Sequence, residues 1–172
     1  MRTNVLLLRI APAVLILCLA VPPIMKAEGA VSHEVSAGQT LWSIARAYGT
    51  TVKDVMSIND LHSIIIRPGM TLKVNPGPVL VLASWYGPGF HGRKMANGEV
   101  FDMYEDIAAH RVLPLGTMIM VVNPENGRMI VVSVKDRGPY IRGRSLDLSR
   151  SAALKIGMAE DGLKKVVIKV LP

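Results

Sequence analysis

Residues 134–149, VKDRGPYIRGRSLDLS, set the tightest limits on what this chain can fold into. An apolar run, 129–134, leads into the stretch, and a helix-like segment, SRSAALKIG, leads out of it. Gly138, Pro139 and Gly143 stand between, so neither a strand nor a helix can run straight through. Asp136 and Asp147 lie eleven positions apart, with Arg137, Arg142, Arg144 and Arg150 in or beside the interval. A strand ending in Asp-Arg-Gly-Pro delivers a charged group where the backbone leaves a sheet, and binding and catalytic groups gather at such ends. The plainer reading has Asp136 starting a turn and Asp147 supporting the helix that follows.

The same grammar runs through residues 79–172. Residues 79–86 are apolar and rich in strand formers, and 87–98 form a glycine-rich loop. Two β runs, 117–123 and 128–135, flank NPENG, where Asn126-Gly127 reads as a hairpin turn. Ser149 or Ser151 caps a short helix over 152–156, which Gly157 ends, and 165–170 is a last strand. Short strands, much glycine and one small helix predict a β-barrel rather than a parallel sheet.

Residues 33–74 read as a separate compact unit in the order strand, helix, helix, strand. A short strand at 33–35 turns at Ser36-Ala37-Gly38, and Gln39-Thr40 caps a helix over 41–48. Leu41, Ile44, Ala45 and Tyr48 repeat at helical spacing and form one buried face. Thr51-Val52-Lys53-Asp54 has the form of a capping box and opens a second helix through Ile58. Pro68-Gly69 then turns into a strand over 70–74. So small a unit needs tight packing of Val35, Leu41, Ile44, Val55, Leu61 and Leu72. Residues 75–78, NPGP, are a short linker, so the two units are expected to sit close together.

Residues 1–29 have the plan of a secretory signal peptide: basic start, apolar middle over 10–21, and small residues Ala27, Gly29 and Ala30 about the expected cut. The apolar run is interrupted by Pro12, Pro22 and Pro23 and is short against the roughly 20 residues of a spanning helix. An uncleaved amino-terminal anchor, giving transient membrane attachment, is the alternative. Cys18, the single cysteine, follows Leu17, where a lipidated cysteine normally follows a small residue, which argues against a lipoprotein. The net charge is +7, and it falls to +5 once Arg2, Arg9, Lys26 and Glu28 are removed. A basic exported protein favours anionic partners such as an acidic glycan. No nucleic-acid motif is present. His33, His62, His91 and His110 lack metal-ligand spacing, so neither a metal nor another cofactor is expected.

The stretch HEVSAGQTLWSIARAYGTTVKDVMSIN, followed by IRPGMTL, resembles a LysM module from first strand to last. That resemblance implies a shallow groove for N-acetylglucosamine-containing glycans, between the turn at Gly38, Thr40 and Leu41 and the loop around Ile66. Turn, cap and core are the structural roles of the same residues. The motifs ASWYGPGFHGRKMANGEVFD, AAHRVLPLGT, VKDRGP and SLDLSRSAALKIG resemble, in order and spacing, the rare lipoprotein A family. Met95, where threonine is common, and Lys135, where asparagine is common, depart from its pattern.

Together the two resemblances imply a mainly β fold. A six-stranded double-psi β-barrel over 79–172 follows a small α+β (βααβ) LysM domain over 30–74. They also imply an exported, periplasmic or cell-envelope lytic transglycosylase, expected to be monomeric, acting on peptidoglycan glycan strands. Such an enzyme needs one acid/base, because the muramic C6 hydroxyl serves as nucleophile and closes a 1,6-anhydro ring. By the family's pattern Asp136 is the first choice for that acid, and Asp147 is the rival that a relative's aspartate-leucine motif favours. Glu99 and His110 match further polar site positions. Glu99 would raise the pKa of Asp136 by like-charge repulsion, and His110 would hydrogen-bond a carboxylate or the substrate. A solvated loop acid and a structural histidine are the plainer readings of these two. Tyr86 and Phe90 would stack on sugar faces, and Arg137 would pair with a lactyl carboxylate or with a neighbouring aspartate. Two other readings stay open: a non-catalytic wall-binding protein of expansin type, and a true glycoside hydrolase.

Overall fold

The computed structural model describes residues 29–172. Residues 1–28 of the expected signal peptide, Cys18 among them, lie outside the described residues.

Strand β1 (Val31–Glu34) pairs antiparallel with β2 (Thr71–Val74), and α1 (Leu41–Ala47) and α2 (Val52–Ile58) stand between them in the chain. Helix α1 starts where it does because Thr40 and Ser43 form a reciprocal capping box. The Thr40 hydroxyl accepts from Ser43 N at 3.1 Å and the Ser43 hydroxyl accepts from Thr40 N at 3.0 Å. At α2 only half of the expected box forms. Thr51 accepts from Asp54 N at 3.1 Å, but the Asp54 carboxylate takes the Thr51 hydroxyl instead of its backbone N–H. Val35, Leu41, Ile44, Val55 and Leu72 are buried between helices and hairpin, with Leu61 packed at the margin.

The second unit is a closed six-stranded barrel with strand order β3-β7-β4-β6-β5-β8. Its strands are β3 (Val79–Tyr86), β4 (Ile107–His110), β5 (Met118–Val122), β6 (Met129–Asp136), β7 (Leu146–Ser149) and β8 (Leu163–Val170). The pairs β3–β7 and β4–β6 are parallel and the other four are antiparallel. The interior is filled by fully buried side chains such as Ile119, Val121, Val134, Leu146, Leu148 and Val166. Helix α3 (Arg150–Lys155) leaves β7 through Ser149, whose hydroxyl accepts from Ala152 N at 3.2 Å. The β5–β6 hairpin closes at Asn123–Arg128 (N···O 2.9 Å), and Gly127 supplies the left-handed residue it needs, at φ +71°.

A second, smaller apolar cluster of Tyr86, Met95, Phe101, Ile107 and Ala109 lies apart from the main core. Met95 and Phe101 come from the excursion between β3 and β4, which folds back over the barrel wall.

The two units are fastened together. Gly77 N donates to Tyr48 O at 2.8 Å, and Gln39 Nε2 donates to Val112 O at 3.1 Å. Gly49 and Gly77 pass so closely that a Cβ on Gly49 would sit 2.5 Å from the Gly77 carbonyl oxygen.

Candidate active site

The site is built by a register shift. On β4, Ala108 pairs with Val134 and with Leu148, and all three are fully buried. Ala109, one residue on, pairs with Asp147 on one side and with Asp136, not Lys135, on the other. Lys135 is therefore the extra residue of a β-bulge. Bulges re-aim side chains at the ends of strands. Without it, Asp136 would share the inward face of Val134, two residues back. With it, Asp136, Ala109 and Asp147 form one row across three neighbouring strands, and Ser84 of β3 extends the row as the partner of Asp147. Two interstrand steps separate the aspartate backbones by about 9–10 Å. Ala109 between them is buried in the small cluster with Tyr86 and Phe101.

Asp147 is half-buried and accepts a hydrogen bond from the Ser84 hydroxyl. Burial pushes its carboxyl above the usual aspartate range, against the opposing pull of Ser84 and the Arg144 guanidinium, and the negative charge of Asp136 adds to the rise. Arg144 Nη1 approaches Ser84 Oγ at 3.3 Å, so the serine is held from two sides. Asp136 has a different setting. Its Oδ1 accepts from Ala96 N at 2.9 Å and from Arg137 N at 2.8 Å.

Tyr86 lies two residues beyond Ser84 on β3. Its ring stacks on Phe101 at 4.2 Å and meets Phe90 edge-on at 5.7 Å. The ring is nearly buried, and its hydroxyl is the one buried side-chain polar atom among the described residues without a hydrogen-bond partner. Burial and the charges of Asp136 and Asp147 raise its pKa, so it stays a protonated donor. Packed this way, Tyr86 offers an O–H rather than a ring face. Phe90 is half exposed and keeps a ring face open, with Arg93 over it at 5.2 Å.

The other expected site residues go elsewhere. Glu99 is solvent-exposed and pairs with Lys135 Nζ at 2.8 Å, which holds its carboxyl below the usual range. Its partner is the bulge lysine, which also reaches Glu105 at 3.4 Å. His110 follows Ala109, and alternation along β4 places its ring on the opposite face. Its Nδ1 accepts from Val112 N at 3.1 Å and Leu113 N at 3.0 Å, which fixes a neutral ring with the proton on Nε2. Burial pushes its pKa down to about 3. Arg137 Nη1 donates to His110 O at 3.0 Å and Leu113 O at 2.7 Å, clamping the same turn. In the first unit, Gly38 is a left-handed turn residue, Thr40 caps α1, Leu41 is buried, and Ile66 is partly buried against the core.

Ser84 and Ala109 belong to the row and drew no attention in the sequence. Neither has a local signal, since their roles come from pairing across β3–β7 and β4–β7. Arg144 was visible only as one of several arginines near the aspartates.

Residues 79–168, which carry this row and the barrel around it, match the family model described as lytic transglycolase. The chain belongs to the lytic transglycolase family. Residues 33–75 match the LysM domain model, so the family's barrel here follows a LysM module. Among curated relatives, the "Probable endolytic peptidoglycan transglycosylase RlpA" of Aquifex aeolicus is 57% identical over 89 residues, covering 52% of this chain and 39% of that protein. The "Endolytic peptidoglycan transglycosylase RlpA" of Vibrio cholerae is 49% identical over 89 residues, covering 52% of this chain and 34% of that protein. The chain therefore spans well under two thirds of the length of these relatives. Among solved structures, the Streptomyces papain inhibitor aligns with a TM-score of 0.47 and 23% identity, over 56% of this chain and 96% of that one.

Proposed function

We propose that this protein is an exported, cell-envelope endolytic transglycosylase that cuts the MurNAc–GlcNAc bond of peptidoglycan and leaves 1,6-anhydro-MurNAc ends. The similarity to relatives named as such supports the substrate and the reaction. The observation that carries the reading is the half-buried Asp147 beside a second carboxylate, with its pKa raised by burial. A leaving glycosidic oxygen needs a proton, and a carboxyl can supply one near neutral pH only if its environment favours the protonated form.

In this reading Asp147 donates its proton to the glycosidic oxygen as the C1–O bond breaks. The muramic C6 oxygen attacks C1, and the C6 hydroxyl proton passes to the Asp147 carboxylate, so the acid is regenerated and no water is consumed. The Ser84 hydroxyl orients Asp147. Asp136, anchored through one oxygen by two backbone amides, biases the proton toward Asp147 and offers its second oxygen to a sugar hydroxyl. The Tyr86 O–H is a donor awaiting a substrate oxygen. Arg137 positions the β4–β5 turn. The LysM module would hold the protein on the wall through the turn at Gly38, Thr40 and Leu41 and the loop at Ile66, with residues 1–29 as export signal.

Mass spectrometry of products from peptide-stripped glycan strands tests the assignment. The expected products carry 1,6-anhydro ends. Asp147→Asn should lose them by at least about 100-fold, the scale of a general-acid contribution. Asp136→Asn should retain measurable turnover with its alkaline limb moved to lower pH, because it removes a charge that holds the proton on Asp147. Reducing ends would mean hydrolysis. Intact strands that still retain the protein would mean a binding protein.

A further inference from the structure

A cleft of about 380 Å³ lies between the LysM module and the barrel. One wall is Gly38, Gln39, Trp42 and Arg46 from the start and outer face of α1, and the other includes Arg111 and Ser145 from the barrel. Pockets of this size at domain boundaries are common ligand sites. This one has a definite chemical character. Trp42 is 62% exposed, unusual for tryptophan, and presents a ring inside a concave surface. The Arg46 guanidinium lies over that ring at 5.2 Å. Arg111 is fixed by donating to Arg144 O at 2.9 Å. The cleft lining contains no acid, and neither Arg46 nor Arg111 has a carboxylate within salt-bridge distance among the described residues. An aromatic platform beside two uncompensated guanidinium groups fits a sugar ring that carries a carboxylate.

The cleft is also connected at both ends. Gly38 and Gln39 belong to the turn that borders the expected LysM groove. At the far end Arg111 holds the Arg144 carbonyl, and the Arg144 guanidinium reaches Ser84, the hydrogen-bond partner of Asp147. Ser145 stands two residues before Asp147 in the chain.

We infer that the cleft between α1 and the barrel, with Trp42, Arg46 and Arg111, is a subsite for a carboxylate-bearing saccharide unit, a muramyl residue of the strand whose neighbour is cut. The inference rests on the function proposed above. Trp42 stacks on the sugar and the two arginines take its lactyl carboxylate. One strand is thereby engaged by both modules at once.

The test uses the Asp147→Asn protein, so that ligand is not consumed, and two peptide-free tetrasaccharides of equal length: alternating GlcNAc–MurNAc and N-acetylchitotetraose. The Trp42 indole N–H resonance, assigned by its loss in Trp42→Phe, should shift on titration with the muramyl compound and hardly at all with the chitin compound. Arg46→Gln should weaken muramyl binding about tenfold and leave chitotetraose binding within twofold. A Trp42 resonance that stays put while other resonances saturate would overturn the subsite, as would equal responses to the two sugars. Product analysis of the unsubstituted protein separates the two ideas. Anhydro products with an unresponsive Trp42 sink the subsite alone, and absence of anhydro products sinks the activity.

Discussion

His110 holds its turn only as a neutral acceptor, and that makes the barrel sensitive to acid. Its folded pKa of about 3 lies below the unfolded value near 6.5. Between these values the unfolded chain binds a proton that the folded chain refuses, so stability rises with pH across the window. The contribution is complete above pH 6.5 and is lost as pH falls toward 3, on the order of a few kcal/mol. Thermal unfolding followed from pH 7 to pH 4 should show that decline. His110→Ala should be less stable at pH 7, because the Val112 and Leu113 amides lose their acceptor, at about 1–3 kcal/mol for each buried group. Its melting temperature should then fall less steeply with acid. If the variant and the parent lose stability in parallel below pH 6.5, the histidine is not the sensor. His110 was expected among the polar site residues, but it lies on the site's strand with its ring turned to the Val112 and Leu113 amides. Its role was not legible in the sequence, because an imidazole that accepts two amides and one that faces a substrate look alike as letters.

At the scale of elements, the bulge on β6 decides the site. Lys135 can be changed in two ways that separate its side chain from its backbone. Lys135→Ala frees Glu99 and Glu105 but leaves the residue count intact, and exposed pairs of this kind contribute about 0–1 kcal/mol. Deleting Lys135 removes the count, so Asp136 must either turn inward beside Val134 or drag the strand out of register. The deletion should destabilise the barrel by more than about 3 kcal/mol, as an unpaired buried charge does, while Lys135→Ala unfolds within a few degrees of the parent. Equal denaturation midpoints for the two would remove the bulge from the explanation. Strands β3, β5, β6 and β8 were legible because β-branched and apolar residues run through them. The four-residue strands β4 and β7 were not, because IAAH has weak strand preference and LDLS reads as the lead-in to a helix. Those two strands carry Ala109 and Asp147. The expectation that Glu99 would act on Asp136 treated residues 87–98 as an open loop, whereas the segment is folded over its own apolar cluster with Glu99 on the outside.

The molecule as a whole depends on one narrow passage. Gly49 has φ +64° and faces the Gly77 backbone at a distance that admits no Cβ. Gly49→Ala should therefore cost at least about 1 kcal/mol, from the left-handed backbone alone, and the displaced linker should loosen the contact between Gln39 and Val112. Hydrogen exchange is the direct measurement: the Gly77 amide, now bonded to Tyr48 O, should lose protection while the amides of β5 and β6 keep theirs. Uniform protection in the variant would show that the two units do not rely on this crossing. The linker itself was legible as NPGP, and its shortness implied closeness. The crossing of two glycines was not, since residues 49 and 77 belong to separate turns until the fold brings them together.

That fastening changes what wall attachment can mean. A tethered enzyme on a long leash samples every bond within its reach. Under the proposed function the anchor and the blade would share a joint four residues long, so the distance from grip to cut would be set by the protein and not by diffusion. Measured against a polymer with a regular disaccharide pitch, such a molecule would act as a gauge: fragment lengths would reflect the spacing between its two modules.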